Sequence, residues 1–252
     1  MKNLLKPQLL PIFVIICGAI GALLRIWLWN TAMQEQHLLA SNHPADILCW
    51  ILSAVVFLVV LILCFPLVKA PKYAFNFPCS IPGFIGCLAA GVAIGVVSAQ
   101  ILTQKTDFID IAVGIVGILA AGSLLSLGFL RKDGKKPVVL LHAAVCLFFM
   151  LYLVFSYRHW SATPQIQFYG FQLLALVFLM ISTYQRAAFD ANMGKRRSYA
   201  VVRLMATYFC LMCTPYSENA LFYVAMMLWA VTDLCSLIPY RPSTEEQSHE
   251  SP

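Results

Sequence analysis

Long apolar runs are the feature of this sequence that most limits what it can fold into. Eight of them follow one another between short polar connections, and most are close to the ~20 residues that a helix needs to cross ~30 Å of hydrocarbon. Of the residues, 61% are hydrophobic and 11% are charged, whereas a soluble domain carries roughly 25% charged residues. The sequence therefore predicts an all-α fold, a polytopic integral membrane bundle of about eight transmembrane helices.

The connections between the runs are too short to fold on their own, so a single domain is predicted over residues 1–238. The spans are expected at 8–30, 46–68, 82–103, 108–130, 138–157, 165–188, 199–213 and 219–237. The last pair fits least well, because 199–213 is short and a re-entrant hairpin would have the same pattern. The polar tail, 239–252, is predicted to be disordered.

Lysine and arginine are distributed unevenly between alternate connections. One set carries thirteen of them, and the other carries only Lys105 and Arg158. Because an excess of positive charge marks the cytoplasmic side of a membrane, both termini are predicted to be cytoplasmic. The same placement accounts for the net charge of +6 without nucleic-acid binding. The short loops and the lack of an N-glycosylation sequon favour a bacterial inner membrane as the location.

Small residues recur every three or four positions along the third and fourth predicted spans. Glycine weakens a helix in water by about 1 kcal/mol relative to alanine, but in a membrane it lets two helix backbones approach closely. The hairpin 82–130 is therefore predicted to form the centre of the bundle. The glycines expected to pack in its interface are Gly83, Gly91, Gly95, Gly114, Gly117 and Gly128.

Charged side chains inside a span are costly unless they are paired or hydrated, so each is a candidate functional residue. Arg203 and Asp233 are expected about one turn from the cytoplasmic ends of the last two spans, at similar depth. They could form a charged site for an ion or substrate, or an ion pair that orders the last hairpin. Arg25 and Asp110 form a candidate pair on the outer side, with Asp46 as an alternative partner for Arg25.

Polar residues also follow one face of the sixth predicted span. They are Gln165, Tyr169, Gln172 and Thr183. Because lipid would penalise such a face, it is predicted to point into the bundle, where it could line a cavity or bond neighbouring helices. Tyr169 and Gln172 therefore join Arg203 and Asp233 as the candidate intramembrane polar site.

No catalytic residue is predicted. The sequence contains no H-E-x-x-H metalloprotease motif, no G-x-S-x-G nucleophile elbow and no Walker-type phosphate loop. The nine cysteines are odd in number and lie mostly in apolar runs, which disfavours a disulfide framework. Neither a metal nor another cofactor is predicted, and an intramembrane enzyme is the least favoured function.

Two functions are left open by the sequence. The inward polar face and the sparse intramembrane charges favour a small permease or a membrane-embedded ligand- or lipid-binding protein. The lack of catalytic motifs and the small size of every loop favour a non-catalytic accessory or regulatory subunit of another membrane protein complex. The bilayer is the expected partner, and the basic connections 131–136 and 195–197 could hold anionic lipid headgroups.

Overall fold

Helices form nearly all of the chain that the structure describes. The computed structural model describes residues 9–32, 43–65, 67, 72–104, 107–161 and 169–237. The helices in these parts of the chain are α1 (Leu10–Ala32), α2 (Pro44–Cys64), α3 (Tyr73–Asn76), α4 (Ile81–Gln104), α5 (Phe108–Lys132), α6 (Val139–Ser161), α7 (Gly170–Asp190), α8 (Arg196–Cys213) and α9 (Ala220–Leu237). A short 3-10 turn, Thr214–Tyr216, lies between α8 and α9.

Seven of the described helices are long and apolar enough to cross a membrane, and α8 is not among them. The predicted all-helical membrane protein is confirmed at this level, and each of the eight predicted spans overlaps one long helix. A crossing by α8, the total of eight spans and the side on which the termini lie stay predictions. The predicted tail and Gln165 lie outside the described residues.

The polar composition of α8 is explained by its place in the bundle. Thirteen of its eighteen residues are buried, including Arg203, and it contacts α1, α2, α7 and α9. Because protein surrounds most of this helix, its polar groups find partners in neighbouring helices instead of facing lipid. α8, and not the predicted hairpin 82–130, is therefore the helix most enclosed by protein, and it can be the least apolar one.

Six of the helices close into a ring. Contacts run from α4 to α5, through α6, α7 and α8 to α9, and from α9 back to α4. α1 packs against α8, and α2 packs mainly on α1. Short connections make consecutive helices antiparallel, so the ends of α5, α7 and α9 lie beside the starts of α4, α6 and α8. The ring therefore has two ends with different side chains. We call the end at which α5, α7 and α9 finish the Asp233 end, and the opposite one the Glu218 end.

At the Asp233 end, two helices are followed, two residues after their last residue, by a residue with positive φ. Gly134 (φ +67°) follows α5, and Asn192 (φ 58°) follows α7. Glycine and asparagine tolerate this left-handed conformation better than other residues. In both turns the next residue donates its backbone N–H to a carbonyl in the last helical turn, at 2.9 and 2.8 Å. The chain thus reverses sharply and returns into the ring.

The α4–α5 hairpin is the most extensive helix contact in the described structure, and several of its glycines face the partner helix. A Cβ atom on Gly91 would lie 3.2 Å from the Ala121 carbonyl oxygen, and one on Gly95 would lie 3.6 Å from the Ala121 Cβ. On Gly114 it would collide with Leu102. The remaining members of the predicted set, Gly83, Gly117 and Gly128, meet Arg131, Ser98 and Cys87 respectively. Close backbone approach in this hairpin therefore depends on the missing side chains.

The structure corrects the interpretation of part of the basic set. The sequence pattern places Arg131, Arg186 and Arg196 in cytoplasmic connections, but all three are buried, with exposures of 2–3%. The three arginines lie in helices instead of connections, since α5 ends at Lys132, α7 ends at Asp190 and α8 begins at Arg196, and neighbouring helices cover their side chains. In the basic connections, Arg131 and Arg196 are thus buried, whereas Lys132 and Lys135 are exposed, and binding of lipid headgroups there stays a prediction.

Candidate functional site

A cluster of ionic side chains, the Asp233 cluster, lies buried at one end of the ring. The Asp233 carboxylate accepts hydrogen bonds from Arg131, from Arg203 Nη2 at 3.2 Å and from the Tyr199 hydroxyl at 3.0 Å. Arg186 Nε lies 3.9 Å from the same carboxylate. Asp233 is 1% exposed, so one carboxylate serves as the counter-ion for three buried guanidinium groups.

Aromatic rings complete the surroundings of these guanidinium groups. Arg186 Cζ lies 3.2 Å from the centre of the Phe77 ring, and Arg203 Cζ lies 4.0 Å from that of Trp229. Phe77 itself is 2% exposed and lies between α3 and α4. The electron-rich face of an aromatic ring attracts a cation, most strongly when water is excluded. The aromatic side chains therefore stabilise the buried positive charges and fill the space between the helices at the Asp233 end.

A second carboxylate extends the cluster toward α6. Asp190 bonds His142 Nδ1 at 2.5 Å, and its other oxygen lies 4.0 Å from Arg186 Nη1. Both His142 and Asp190 are buried. Two carboxylates thus face three guanidinium groups, which nearly balances the buried charge, as such a network requires.

The Asp233 cluster joins all six helices of the ring. α5, α6, α7, α8 and α9 supply Arg131, His142, Asp190, Arg203 and Asp233. α4 supplies the sixth contact, because its Gly83 leaves the space that the Arg131 side chain fills. The buried cluster links the helices at this end of the ring, and its ion pairs would have to break for the helices to separate there.

We expect Tyr199→Phe to lower the free energy of unfolding by about 1.5 kcal/mol. The hydroxyl donates to a buried charged group, and such hydrogen bonds contribute roughly 1.5–3 kcal/mol. The measurement is the thermal unfolding midpoint of the purified protein in detergent. Tyr184→Phe is the matched control, since Tyr184 is 68% exposed. Equal midpoints for the two variants would contradict the role given to Tyr199.

The opposite end of the ring contains a cavity. A cavity of about 720 Å³, the Glu218 cavity, lies between α4, α5, α6 and the segment before α9. It is lined by Val97, Gln100, Ile101, Thr103, Gln104, Asp107, Asp110, Tyr152, Phe155, Arg158, His159, Glu218 and Asn219. Its volume falls in the ~300–1,000 Å³ range of small-molecule sites, and its lining mixes apolar and polar groups as such sites do.

A smaller chamber of about 180 Å³ adjoins this cavity, and we call it the aromatic chamber. It is lined by Trp29, Tyr152, Phe155, Ser156, His159, Trp160, Tyr169, Gln172, Ser217, Glu218, Asn219 and Tyr223. The two spaces share five lining residues: Tyr152, Phe155, His159, Glu218 and Asn219. The chamber reaches toward α1 and α7, so it continues the cavity into the bundle.

The four residues proposed for one intramembrane polar site divide between the two ends. Arg203 and Asp233 bond each other in the Asp233 cluster, whereas Tyr169 and Gln172 line the aromatic chamber. Fourteen residues separate Gln172 from Arg186, which reaches Asp233, and this is about 21 Å along α7. Two sites replace the single predicted one.

Arg25 and Asp110, the candidate outer pair, lie in different surroundings. Arg25 is buried, lies 5.5 Å from the centre of the Phe171 ring and is within electrostatic reach of Asp46. Asp110 accepts a hydrogen bond from the backbone N–H of Asp107 at 3.1 Å and caps the start of α5. The alternative partner for Arg25, Asp46, is therefore within electrostatic range of it, and Asp110 belongs to the Glu218 cavity.

Sequence reasoning missed four members of the Asp233 cluster: Arg131, His142, Arg186 and Asp190. Arg131 and Arg186 lie beside basic connections, where positive charge is expected on topological grounds alone. Arg186 and Asp190 are four residues apart, as for an ion pair on one face of a helix. That spacing, together with His142 as the one histidine inside a predicted span, was the signal in the sequence that could have indicated these members of the cluster.

These features define the class of protein: a helical bundle whose apolar helices suit a lipid bilayer, which places the protein in a membrane. Within the described residues, no group of three or more His, Cys, Asp and Glu side chains could hold a metal ion. The chain matches no protein-family model, and comparisons with curated proteins and with solved structures also find no match.

Proposed function

We propose that this protein is a small permease or membrane-embedded binding protein that takes up a small solute through the Glu218 cavity. The observation that carries the proposal is the contrast between the two ends of the ring. Among the described residues, one end contains a cavity of about 720 Å³, and the other is held together by buried ion pairs. A carrier in one of its two access states has this arrangement, since its site is open to one side only.

The charge pattern supports an orientation for this state. Exposed lysines such as Lys132, the last residue of α5, and Lys135 lie at the Asp233 end. An excess of such residues marks the cytoplasmic side, so the Glu218 cavity would open outward, in a bacterial inner membrane if the sequence expectation holds. Transport to the cytoplasm would then require the ion pairs of Asp233 to separate, whereas a binding protein would keep them.

Gln172 supports a ligand more directly than the cavity volume does. Its side chain is 3% exposed and lines the aromatic chamber, yet none of its described neighbours hydrogen-bonds its amide. The amide atoms keep some accessible surface, so they can donate to and accept from a solute in the chamber. A solute in the chamber would supply the missing donor or acceptor.

The test is a thermal-shift screen of the purified protein against solutes of four classes: organic cations, carboxylates, sugars and amino acids. We expect one class to raise the unfolding midpoint, and Gln172→Leu to abolish that shift without lowering the midpoint of the free protein. Thr183→Val is the matched control, because Thr183 is buried on the same helix and bonds only the Leu179 carbonyl, at 2.8 Å. It should leave the shift intact.

The opposite result would support the accessory-subunit function. If no class raises the midpoint, and if the protein extracted from its own membrane carries a second protein in fixed ratio, the proposed solute-binding function is wrong. A shift that survives Gln172→Leu would place the solute outside the aromatic chamber.

A further inference from the structure

We propose that the solute is a small organic cation, an amine or quaternary ammonium compound, held in the aromatic chamber. This inference rests on the proposed function and names its substrate class. Three properties of the chamber carry it: the number of aromatic rings, the presence of one carboxylate without a cationic partner, and the small volume.

Aromatic residues supply half of the chamber wall. Six of its twelve lining residues are Phe, Trp or Tyr, although these make up 13% of the chain. They are Trp29, Tyr152, Phe155, Trp160, Tyr169 and Tyr223. The rings come from α1, α6, α9 and the residue before α7, so that several helices surround the space. Aromatic cages of this kind bind alkylammonium groups, whose positive charge is attracted to the faces of the rings.

Some of these rings are fixed by their own contacts. Trp160 and Tyr169 stack with their centres 4.7 Å apart and their planes at 9°. Tyr152 is 5% exposed, and its hydroxyl lies 3.5 Å from the Asn219 amide nitrogen. A wall that is already ordered loses little conformational entropy when a ligand binds. The chamber is therefore suited to bind a small group without rearrangement.

Glu218 gives the chamber its charge. It is the only Asp, Glu, Lys or Arg among the described residues of the chamber wall, and no described cation forms an ion pair with it. The adjoining Glu218 cavity adds Asp107 and Asp110 against one arginine, Arg158, which pairs with Asp107. Both spaces are thus negative in sum, which disfavours an anionic solute and attracts a cation from outside.

The volume and the polar groups of the chamber restrict the class of solute further. The chamber, at about 180 Å³, is smaller than the ~300 Å³ lower limit of sites for drug-sized ligands, so it suits a compact headgroup. The amide of Gln172 and the hydroxyl of Tyr169 could bond a polar substituent on that headgroup. Burial, and then the charge of Glu218, raise the pKa of the Tyr169 phenol, which keeps it a donor.

The test compares ligands that differ in charge but not in shape. Purified protein is titrated with choline and with 3,3-dimethyl-1-butanol, its uncharged counterpart, and binding is followed by tryptophan fluorescence and the thermal unfolding midpoint. Tetramethylammonium and methylammonium extend the series of cations. We expect at least one cation to bind at least ~10-fold more tightly than the uncharged alcohol, because aromatic rings and a carboxylate attract only the charged member of the pair.

Two variants locate the site. Glu218→Gln should weaken cation binding at least ~10-fold, and Trp160→Leu should weaken it by a similar factor. Asp133→Asn is the matched control for charge, because Asp133 is exposed at the Asp233 end and pairs with Lys135 at 3.5 Å. It should bind the cation as the wild type does.

The outcomes separate this inference from the proposed function. If none of the three cations binds but a sugar, carboxylate or amino acid binds and needs Gln172, the substrate class is wrong and the solute-binding function stands. If nothing binds at all, both fail. Equal affinity for choline and the uncharged alcohol, or cation binding that survives both Glu218→Gln and Trp160→Leu, would also overturn the inference.

Discussion

Asp233→Asn is expected to lower the free energy of unfolding by about 3–5 kcal/mol, the largest effect of any single substitution considered. Asparagine keeps the shape of the side chain but removes the charge that Arg131 and Arg203 bond and that Arg186 approaches. Removing one member of a buried ion pair leaves charge without compensation, which costs roughly 3–5 kcal/mol. The measurement is reversible unfolding in mixed micelles, monitored by tryptophan fluorescence.

The control is Asp133→Asn, which removes an exposed carboxylate from the same end of the ring. Exposed ion pairs contribute little, so this variant should unfold as the wild type does. If Asp233→Asn were equally stable but no longer bound the solute, Asp233 would belong to a solute site instead of a structural network. Retention of both stability and binding would contradict either role.

Gly83→Ala is expected to destabilise the protein by about 2–4 kcal/mol. A Cβ atom at this position would overlap the Nε atom of Arg131 and approach its Cδ and Cζ atoms to 2.8 Å. The arginine cannot move away freely, because its two terminal nitrogens bond Asp233 and Ser236. Overpacking costs typically 1–3 kcal/mol, and a disturbed buried ion pair adds to it. The thermal unfolding midpoint measures the loss.

The matched control is Gly122→Ala in the partner helix of the hairpin. A Cβ atom on Gly122 would meet nothing within 4 Å, so this variant should be as stable as the wild type or slightly more stable. Equal destabilisation by the two alanines would mean that the effect of Gly83→Ala reflects helix glycines in general and not the Arg131 contact.

The fold could be predicted from the sequence because seven of the described helices are long, continuous and apolar. The membrane-spanning pattern needs only local composition, and the helices overlap the predicted spans. α8 was the least certain span for a physical reason: a helix buried among others can carry Arg203 and other polar residues, so its sequence loses the apolar signal. Topological charge counting cannot separate such a buried arginine from a loop arginine.

The candidate site could be predicted only in part. The depth argument selected Arg203 and Asp233, which do bond each other. It could not show that Arg131 and Arg186 join them, because this depends on which helices are neighbours in the ring. Gln172 was grouped with Asp233 for the same reason. The two residues lie at opposite ends of the ring, about the length of one helix apart.

Native mass spectrometry of the protein, gently extracted from its own membrane, tests the central claim most directly. The account predicts the mass of the chain plus one reproducible small adduct, which Gln172→Leu and Glu218→Gln remove and Asp133→Asn retains. An unliganded chain in stable complex with a different protein, or an adduct that all three variants retain, would contradict the claim that the Glu218 end of the ring binds a solute.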